Sequence, residues 1–395
     1  MIPLEIADAI KTTMHTNSTA IPTYSTKTES NRPRPILNGM KHTVVITGAA
    51  GYVGAMLVHA FALRDDVEKI IGIDKESLPE FLKGVPKLHY IESDTASLDF
   101  KQVADMSPTI VINAAWQIRE MYGQKQAQWR LNIEGSDAVF DFAFSTPSVK
   151  RLIHFSTVAS YGARSDNSIE HKFKEEEGFR KSDYLYAEEK RISEVHLEEK
   201  YAEAKERGNQ IQVVIVRPAA VTGPRGRFMR IRFGLQSALS GQLKENFIHR
   251  LISLMVSFVP ITAKWCRQFI HEDDVVAIIM LLSFESLKTP YEAFNICPPG
   301  EVVRGKDMAK AVGKRAVRIH PLLIRFVFFC MWHLSRGRVP TSKGGWKSYS
   351  YPIAVDGSKL TSMYGYNYRY PSLDAFYYTN GNYESAVPKN LQRHK

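Results

Sequence analysis

Cysteine is scarce. Cys266, Cys297 and Cys330 are the three in 395 residues. They show no paired spacing, so neither a disulfide framework nor a zinc site is expected, and no other metal site is. A reducing compartment, the cytoplasm, follows as the expectation. Long apolar runs are lacking too. The most apolar stretch, Pro321 to Trp332, contains Arg325 and is a dozen residues, short of the roughly 20 that cross a bilayer. Residues 1–40 lack the apolar core of a secretory leader, and Glu5, Asp8 and Glu29 argue against a transit peptide. They are rich in Thr and Ser and read as a disordered extension. No internal repeat, helix-turn-helix pattern or aromatic-basic RNA motif is legible, so no nucleic-acid partner is expected.

The composition, 44% hydrophobic and 24% charged, is that of a globular chain. The length allows two domains, or one large domain with a lobe. The formal net charge of +11 favours anionic partners in general.

The most informative stretch is Lys41 to Ala55. A β-branched run, Val44-Val45-Ile46-Thr47, feeds into Gly48, Gly51 and Gly54, and a helical pattern follows from Met56. Strand, tight turn and helix in that order present unpaired helix N–H groups to an anion such as a pyrophosphate. Asp74 ends the next strand about twenty residues past Gly54, where a carboxylate holds ribose hydroxyls. Asp94 ends a third strand, where a short polar residue can meet an adenine amino group or only form a turn. Further strands are expected at 109–115, 151–155 and 211–216, with helices between them and no tight hairpins. That alternation predicts an α/β fold: a doubly wound parallel sheet (Rossmann) with a smaller C-terminal substrate-binding lobe. The expected division places the nucleotide-binding domain at 41–224, with a return segment at about 265–290 entering the main sheet. The lobe takes 225–264 and 291–378, and 379–395 is a loose tail. The 225–264 segment has helical spacing.

Tyr186 and Lys190 stand four apart on one face of a helix that Gly208 stops. A nearby ammonium lowers a phenol's pKa toward that of a usable base. Thr157, after the fifth strand, can hold a substrate oxygen together with Tyr186. A solvated helix face is the plainer alternative for the pair alone. His271 reads as a packing histidine between sheet and lobe, and Cys297 as core.

These motifs together resemble the extended short-chain dehydrogenase/reductases, in particular the NAD-dependent epimerase/dehydratase family of UDP-glucose 4-epimerase-like proteins. The resemblance spans about 41–375 and also rests on Asn113-Ala114-Ala115, Asn132, Ser156-Thr157, Arg217-Pro218, Phe269-Ile270-His271 and Asp356-Gly357-Ser358-Lys359-Leu360. It implies that Tyr186 is the acid/base, that Lys190 tunes it and binds the nicotinamide ribose, and that Thr157 positions the substrate hydroxyl. Asn132 would support Lys190 in a proton relay. The NAD contacts implied are Gly48, Ala50, Gly51, Tyr52, Val53, Gly54, Asp74, Lys75, Asp94, Thr95, Ala114, Ala115, Trp116, Asn132, Tyr186, Lys190, Pro218 and Ala219. Arg267 would bind the pyrophosphate of a nucleotide-sugar substrate, and a homodimer is implied.

The 4,6-dehydratases place an acid directly after the catalytic Thr or Ser; here Val158 and Ala159 stand there. A sugar-nucleotide epimerase is therefore expected. Ala220 and Trp346 depart from the UDP-glucose 4-epimerase pattern, which keeps a second expectation open: a dehydrogenase or reductase of a sterol-like or other apolar alcohol. The cations around Pro321–Trp332 leave two alternatives for that run. One is a buried helix of the lobe; the other is an interfacial helix in peripheral contact with an anionic membrane.

Overall fold

The computed structural model describes residues 41–226 and 258–387, apart from positions 312, 340 and 379. Residues 1–40, most of the 225–264 segment and 388–395 lie outside the described residues.

Strand β1 (His42–Thr47) is buried along its whole length, as a run covered on both faces must be. Helix α1 (Tyr52–Ala62) follows the glycine turn. Then come β2 (Val67–Asp74), β3 (Leu88–Glu92), β4 (Ile110–Asn113), a helical segment from Lys125 leading into α2 (Gly135–Ser145), and β5 (Arg151–Phe155). Helix α3 (Leu185–Glu206) precedes β6 (Gln212–Pro218), β7 (Ala220–Thr222), β8 (Phe258–Ile261), β9 (Cys266–Arg267) and β10 (Phe269–His271). Helix α4 (Glu272–Phe284) leads to β11 (Tyr291–Ile296), β12 (Val303–Arg304) and β13 (Arg315–Arg318), and α5 is Pro321–Leu334.

Seven strands form one sheet in the order β11-β6-β5-β4-β1-β2-β3, all pairs parallel. Strand order reverses between β1 and β4, and that crevice at the strands' carboxyl ends is where such sheets bind ligands. Alternate side chains of β1 supply the two cores. Val44 and Ile46 pack with α1 and α4 residues such as Leu57, Phe61 and Ile278. Val45 packs with Val139 and Phe140 of α2 and Leu197 of α3. A third cluster, outside the sheet, joins Ile261, Trp265, Phe269, Val303 and Met308.

Three expectations change. The return segment does not enter the main sheet: β10 pairs with β7 in a separate two-stranded sheet, and β11, assigned above to the lobe, is the edge strand beside β6. Within 225–264, residues 258–261 form a strand paired with β13 rather than a helix. The start of the tail is fixed: the Asn382 amide donates to Asp273, and the Tyr383 hydroxyl donates to the Met56 carbonyl at 3.3 Å. Tyr383 packs against the first core, and burying that ring outweighs the polar character of its neighbours. His271 and Cys297 behave as expected. The His271 ring is buried and accepts from the Asp273 amide at the start of α4, and Cys297 is fully buried.

Candidate active site

The Thr47 hydroxyl at the end of β1 joins it to β4. It donates to Asn113 Oδ1 at 2.9 Å and accepts from the Ala114 and Ala115 amides at 3.2 Å each. Gly48 follows with φ +71°, in the left-handed region, and a Cβ there would stand 2.8 Å from the Ala115 backbone. Gly54 faces the Gly48 carbonyl so closely that a side chain has no room. Gly51 starts α1 with no side-chain cap, so the helix N–H groups remain for an anion. Ala50, Tyr52 and Val53 complete the turn, with Ala114, Ala115 and Trp116 opposite. A cradle walled by backbone fits a dinucleotide pyrophosphate. The Trp116 indole N–H adds a buried donor without a partner among the described residues.

Asp74 lies at the end of β2, and its carboxylate accepts from the Ala50 amide at 2.9 Å and the Glu76 amide at 3.0 Å. Burial raises its pKa, and those two amides oppose the rise. The carboxylate thus braces the glycine turn from the position expected for ribose recognition. Lys75 is exposed, its ammonium 3.3 Å from Gln117 Oε1. Asp94 is committed locally. It accepts from the Ala96 and Ser97 amides at 3.0 Å and the Ser97 hydroxyl at 2.8 Å, and it pairs with Arg130 at 3.2 Å. These contacts form the turn, and the partly exposed carboxylate keeps lone pairs that an adenine amino group could use. Thr95 is buried against Gly135. Pro218 closes β6, and the Ala219 amide donates to the Ile296 carbonyl at 3.2 Å.

Thr157, Tyr186 and Lys190 come together at the carboxyl end of β5. Thr157 is extended and buried, and its hydroxyl accepts from the Ala159 amide at 3.2 Å. The Thr157 hydroxyl lies close enough to that of Tyr186 to favour the phenolate. The buried Lys190 ammonium donates to the Phe155 carbonyl and lies 3.5 Å from the centre of the Trp116 ring. Burial pushes the Tyr186 pKa up, opposed by the Thr157 hydroxyl. Burial pulls Lys190 well below its ordinary value, opposed by Glu194 and Glu189. In this arrangement desolvation outweighs any lowering of the Tyr186 pKa. The ammonium is anchored on β5, and desolvation of the phenol dominates.

Asn132 sits in a π-helical turn, Arg130–Glu134, a distortion that recurs at functional sites. It does not meet Lys190 directly. Its Oδ1 accepts from the Gln117 amide at 2.7 Å, and its Nδ2 donates to Glu189 Oε2 at 2.7 Å. Gln128 donates to the same carboxylate oxygen at 3.0 Å. Glu189 and Gln128 were not anticipated. Gln128 stands four before Asn132 on the same helical face, which is a readable signal. Glu189 is one of many glutamates in α3, and only its burial separates it from the half-buried Glu188.

Arg267 is on β9, packed against Trp265 and Tyr349. Its guanidinium is 3.5 Å from the Ser348 carbonyl and 4.8 Å from the centre of the Tyr349 ring. The rings of Tyr184 and Tyr186 are 5.8 Å apart. The Tyr184 pKa is pushed up by burial, then by Tyr349 and Tyr186, and is pulled down by Arg267. Two open surface cavities, of about 630 and 490 Å³, are lined by none of these candidate residues. Among the described residues no His, Cys, Asp and Glu cluster could hold a metal.

A doubly wound sheet with a backbone cradle at its switch point and a Thr-Tyr-Lys constellation beside it defines a dinucleotide-dependent oxidoreductase of the extended short-chain dehydrogenase/reductase type. The sequence pattern of the NAD dependent epimerase/dehydratase family matches residues 44–297, and the chain belongs to that family. NAD is its cofactor. Solved structures share the fold at low identity. UDP-glucose 4-epimerase from Thermotoga maritima, with UDP-glucose, is 19% identical with a TM-score of 0.60, over 85% of this chain and 96% of that one. UDP-glucuronic acid 4-epimerase from Bacillus cereus, with UDP-glucuronic acid and NAD, is 17% identical with a TM-score of 0.59, over the same shares. dTDP-glucose 4,6-dehydratase from Bacillus anthracis, with NAD, is 14% identical with a TM-score of 0.58, over 89% and 95%.

Proposed function

We propose that the protein is an NAD-dependent epimerase of the sugar-nucleotide type. The carrying observation is Thr157 and the buried Lys190 gathered at the carboxyl end of β5, with Tyr186 one helical turn before Lys190. In this proposal Thr157 orients a sugar hydroxyl, and Tyr186 takes its proton and later gives one back. Lys190 is the cation beside the reacting centre, and Glu189, through Asn132 and Gln128, fixes the helix turn that carries it. Bound NAD supplies the hydride acceptor and donor. Arg267 grips the diphosphate, a task suited to a guanidinium. The lobe around Trp265, Phe269 and Val303 would seat the nucleotide sugar. Val158 and Ala159 after Thr157 leave the water-eliminating chemistry of a dehydratase without its acid. The nucleotide-sugar enzymes sharing the fold support a sugar-nucleotide substrate. A cytoplasmic homodimer built on α2 and α3 completes the proposal.

The test is turnover without added cofactor. Purified protein should carry NAD and interconvert epimeric UDP-sugars, read by chromatography of the products. A second reading has its own support. Trp346 stands where the 4-epimerases carry a second phosphate-binding arginine, and the aromatic rings of Tyr184 and Tyr349 line the Arg267 side. If UDP-sugars are inert and a sterol-like alcohol consumes added NAD stoichiometrically, that reading replaces the first.

A further inference from the structure

Helix α5 has two apolar faces. His320 caps it by accepting from the Leu322 amide, and Pro321 occupies its first turn. Ile324, Phe328 and Trp332, spaced by four, are buried. Phe328 packs on Tyr349 with ring centres 5.3 Å apart, and Trp332 packs on Tyr122 at 5.4 Å. Leu322, Leu323, Phe326, Val327, Phe329 and Leu334 lie on the other side and are exposed, Phe326 and Phe329 at 63% each. Of the fifteen exposed large apolar side chains among the described residues, these six share one helix. Of the rest, Leu373, Tyr377 and Tyr378 adjoin at one short helix, and the other six are dispersed along the chain. One face of the run is lobe core, and the other is exposed.

The charge around the helix selects an occupant. No Asp or Glu occurs between Asp307 and Asp356, while nine Lys and Arg do. Arg318 before the helix, Arg325 within it, and Arg336 and Arg338 after it are all exposed. A helix of about 21 Å with an apolar outer face and cations at both ends suits the boundary between lipid headgroups and acyl chains. Anionic headgroups complement the flanking charge.

We propose that the outer face of α5 docks the protein on an anionic lipid surface. The helix is too short to span a bilayer, and none of the described helices qualifies as a span, so the contact is peripheral. Docking would bring the candidate active site close to the membrane. Gly345 lies between Phe328 of α5 and Tyr184, the neighbour of Tyr186. The Tyr122 hydroxyl, on the loop after β4, meets His333 Nδ1 at 3.2 Å. This inference concerns a surface and is independent of the chemistry proposed above.

The experiment is flotation of the full chain with vesicles of phosphatidylcholine, with and without phosphatidylserine, at low and high salt. Wild type should float with phosphatidylserine at low salt and be released by salt. The F326E/F329E double variant, altered only at exposed positions, should float at least about tenfold less while keeping the wild-type thermal transition and NAD affinity. Failure of the wild type to float with phosphatidylserine at low salt overturns the proposal. So does undiminished flotation of the folded double variant. Self-association of the wild type that the double variant loses, without flotation of either, assigns the face to a second copy and equally overturns it.

Discussion

Tyr186 is held where a phenolate is costly. Burial raises its pKa, and the Thr157 hydroxyl offsets part of that rise. At neutral pH the phenol is the favoured form, ready to donate a proton. Accepting one from a substrate hydroxyl becomes easier as pH rises toward the raised pKa, so the oxidising half-reaction should speed up on the alkaline side. Tyr186→Phe removes the proton-transfer group and keeps the ring. It should lower turnover by about 10²–10⁴-fold with NAD affinity nearly unchanged. Stopped-flow turnover and an NAD titration check the two halves, and near wild-type turnover would remove Tyr186 from the acid/base role. The Tyr-Lys pair was legible because four residues is one helical turn. The Lys190 partner was not, since the Phe155 carbonyl comes from β5, thirty-five residues away.

At the scale of elements, the glycine turn between β1 and α1 is the tightest joint in the described residues' cofactor region. Gly48 abuts the Ala115 backbone, and Gly54 abuts the Gly48 carbonyl. Gly54→Ala puts a methyl group into that backbone, and neither wall is a flexible side chain. Overpacking of this kind costs about 1–3 kcal/mol, and the loop must open to accept it. The variant should melt at a lower temperature and lose most NAD affinity, read by calorimetric scan and titration. Unchanged affinity would mean that the cofactor does not lie on this turn. The turn was readable because strand, glycines and helix are consecutive. Its opposite wall, the end of β4, is readable only as a run of small residues, and the contact itself depends on strand order.

On the scale of the whole molecule, one carboxyl ties distant segments together. Glu272 accepts from the Tyr52 hydroxyl in the glycine turn and from the Arg225 and Gly226 amides at 3.2 and 2.9 Å. Arg225 in turn donates to the Tyr52 carbonyl at 2.8 Å. Burial pushes the Glu272 pKa up to about 7, opposed first by the Tyr52 bond. A carboxyl whose folded-state pKa is raised holds its proton more firmly folded than unfolded. Its contribution to stability is full below the ordinary carboxylate range and is lost as pH rises through about 7. Glu272→Gln removes this titration. Between pH 5 and 8 the wild type should lose about 1–3 kcal/mol of stability that the variant does not lose. Denaturant melts across that range test it, and parallel profiles would show that Glu272 does not titrate there.

Spacing along the chain sufficed for the fold class, the glycine turn, Asp74 at the end of β2 and the grouping of Thr157, Tyr186 and Lys190. Each rests on spacing within one or two consecutive elements, where backbone geometry alone fixes which residues share a face or a turn. Only the tertiary structure shows that β11 and not β10 joins the main sheet, because the edge partner of β6 is about eighty residues away in sequence. It also decided that Asp94 pairs with Arg130, that Glu189 rather than Glu188 braces Asn132, and that α5 buries one apolar face and exposes the other. Those outcomes depend on which segments, tens to hundreds of residues apart, come to lie against one another, and local periodicity carries no record of a distant partner.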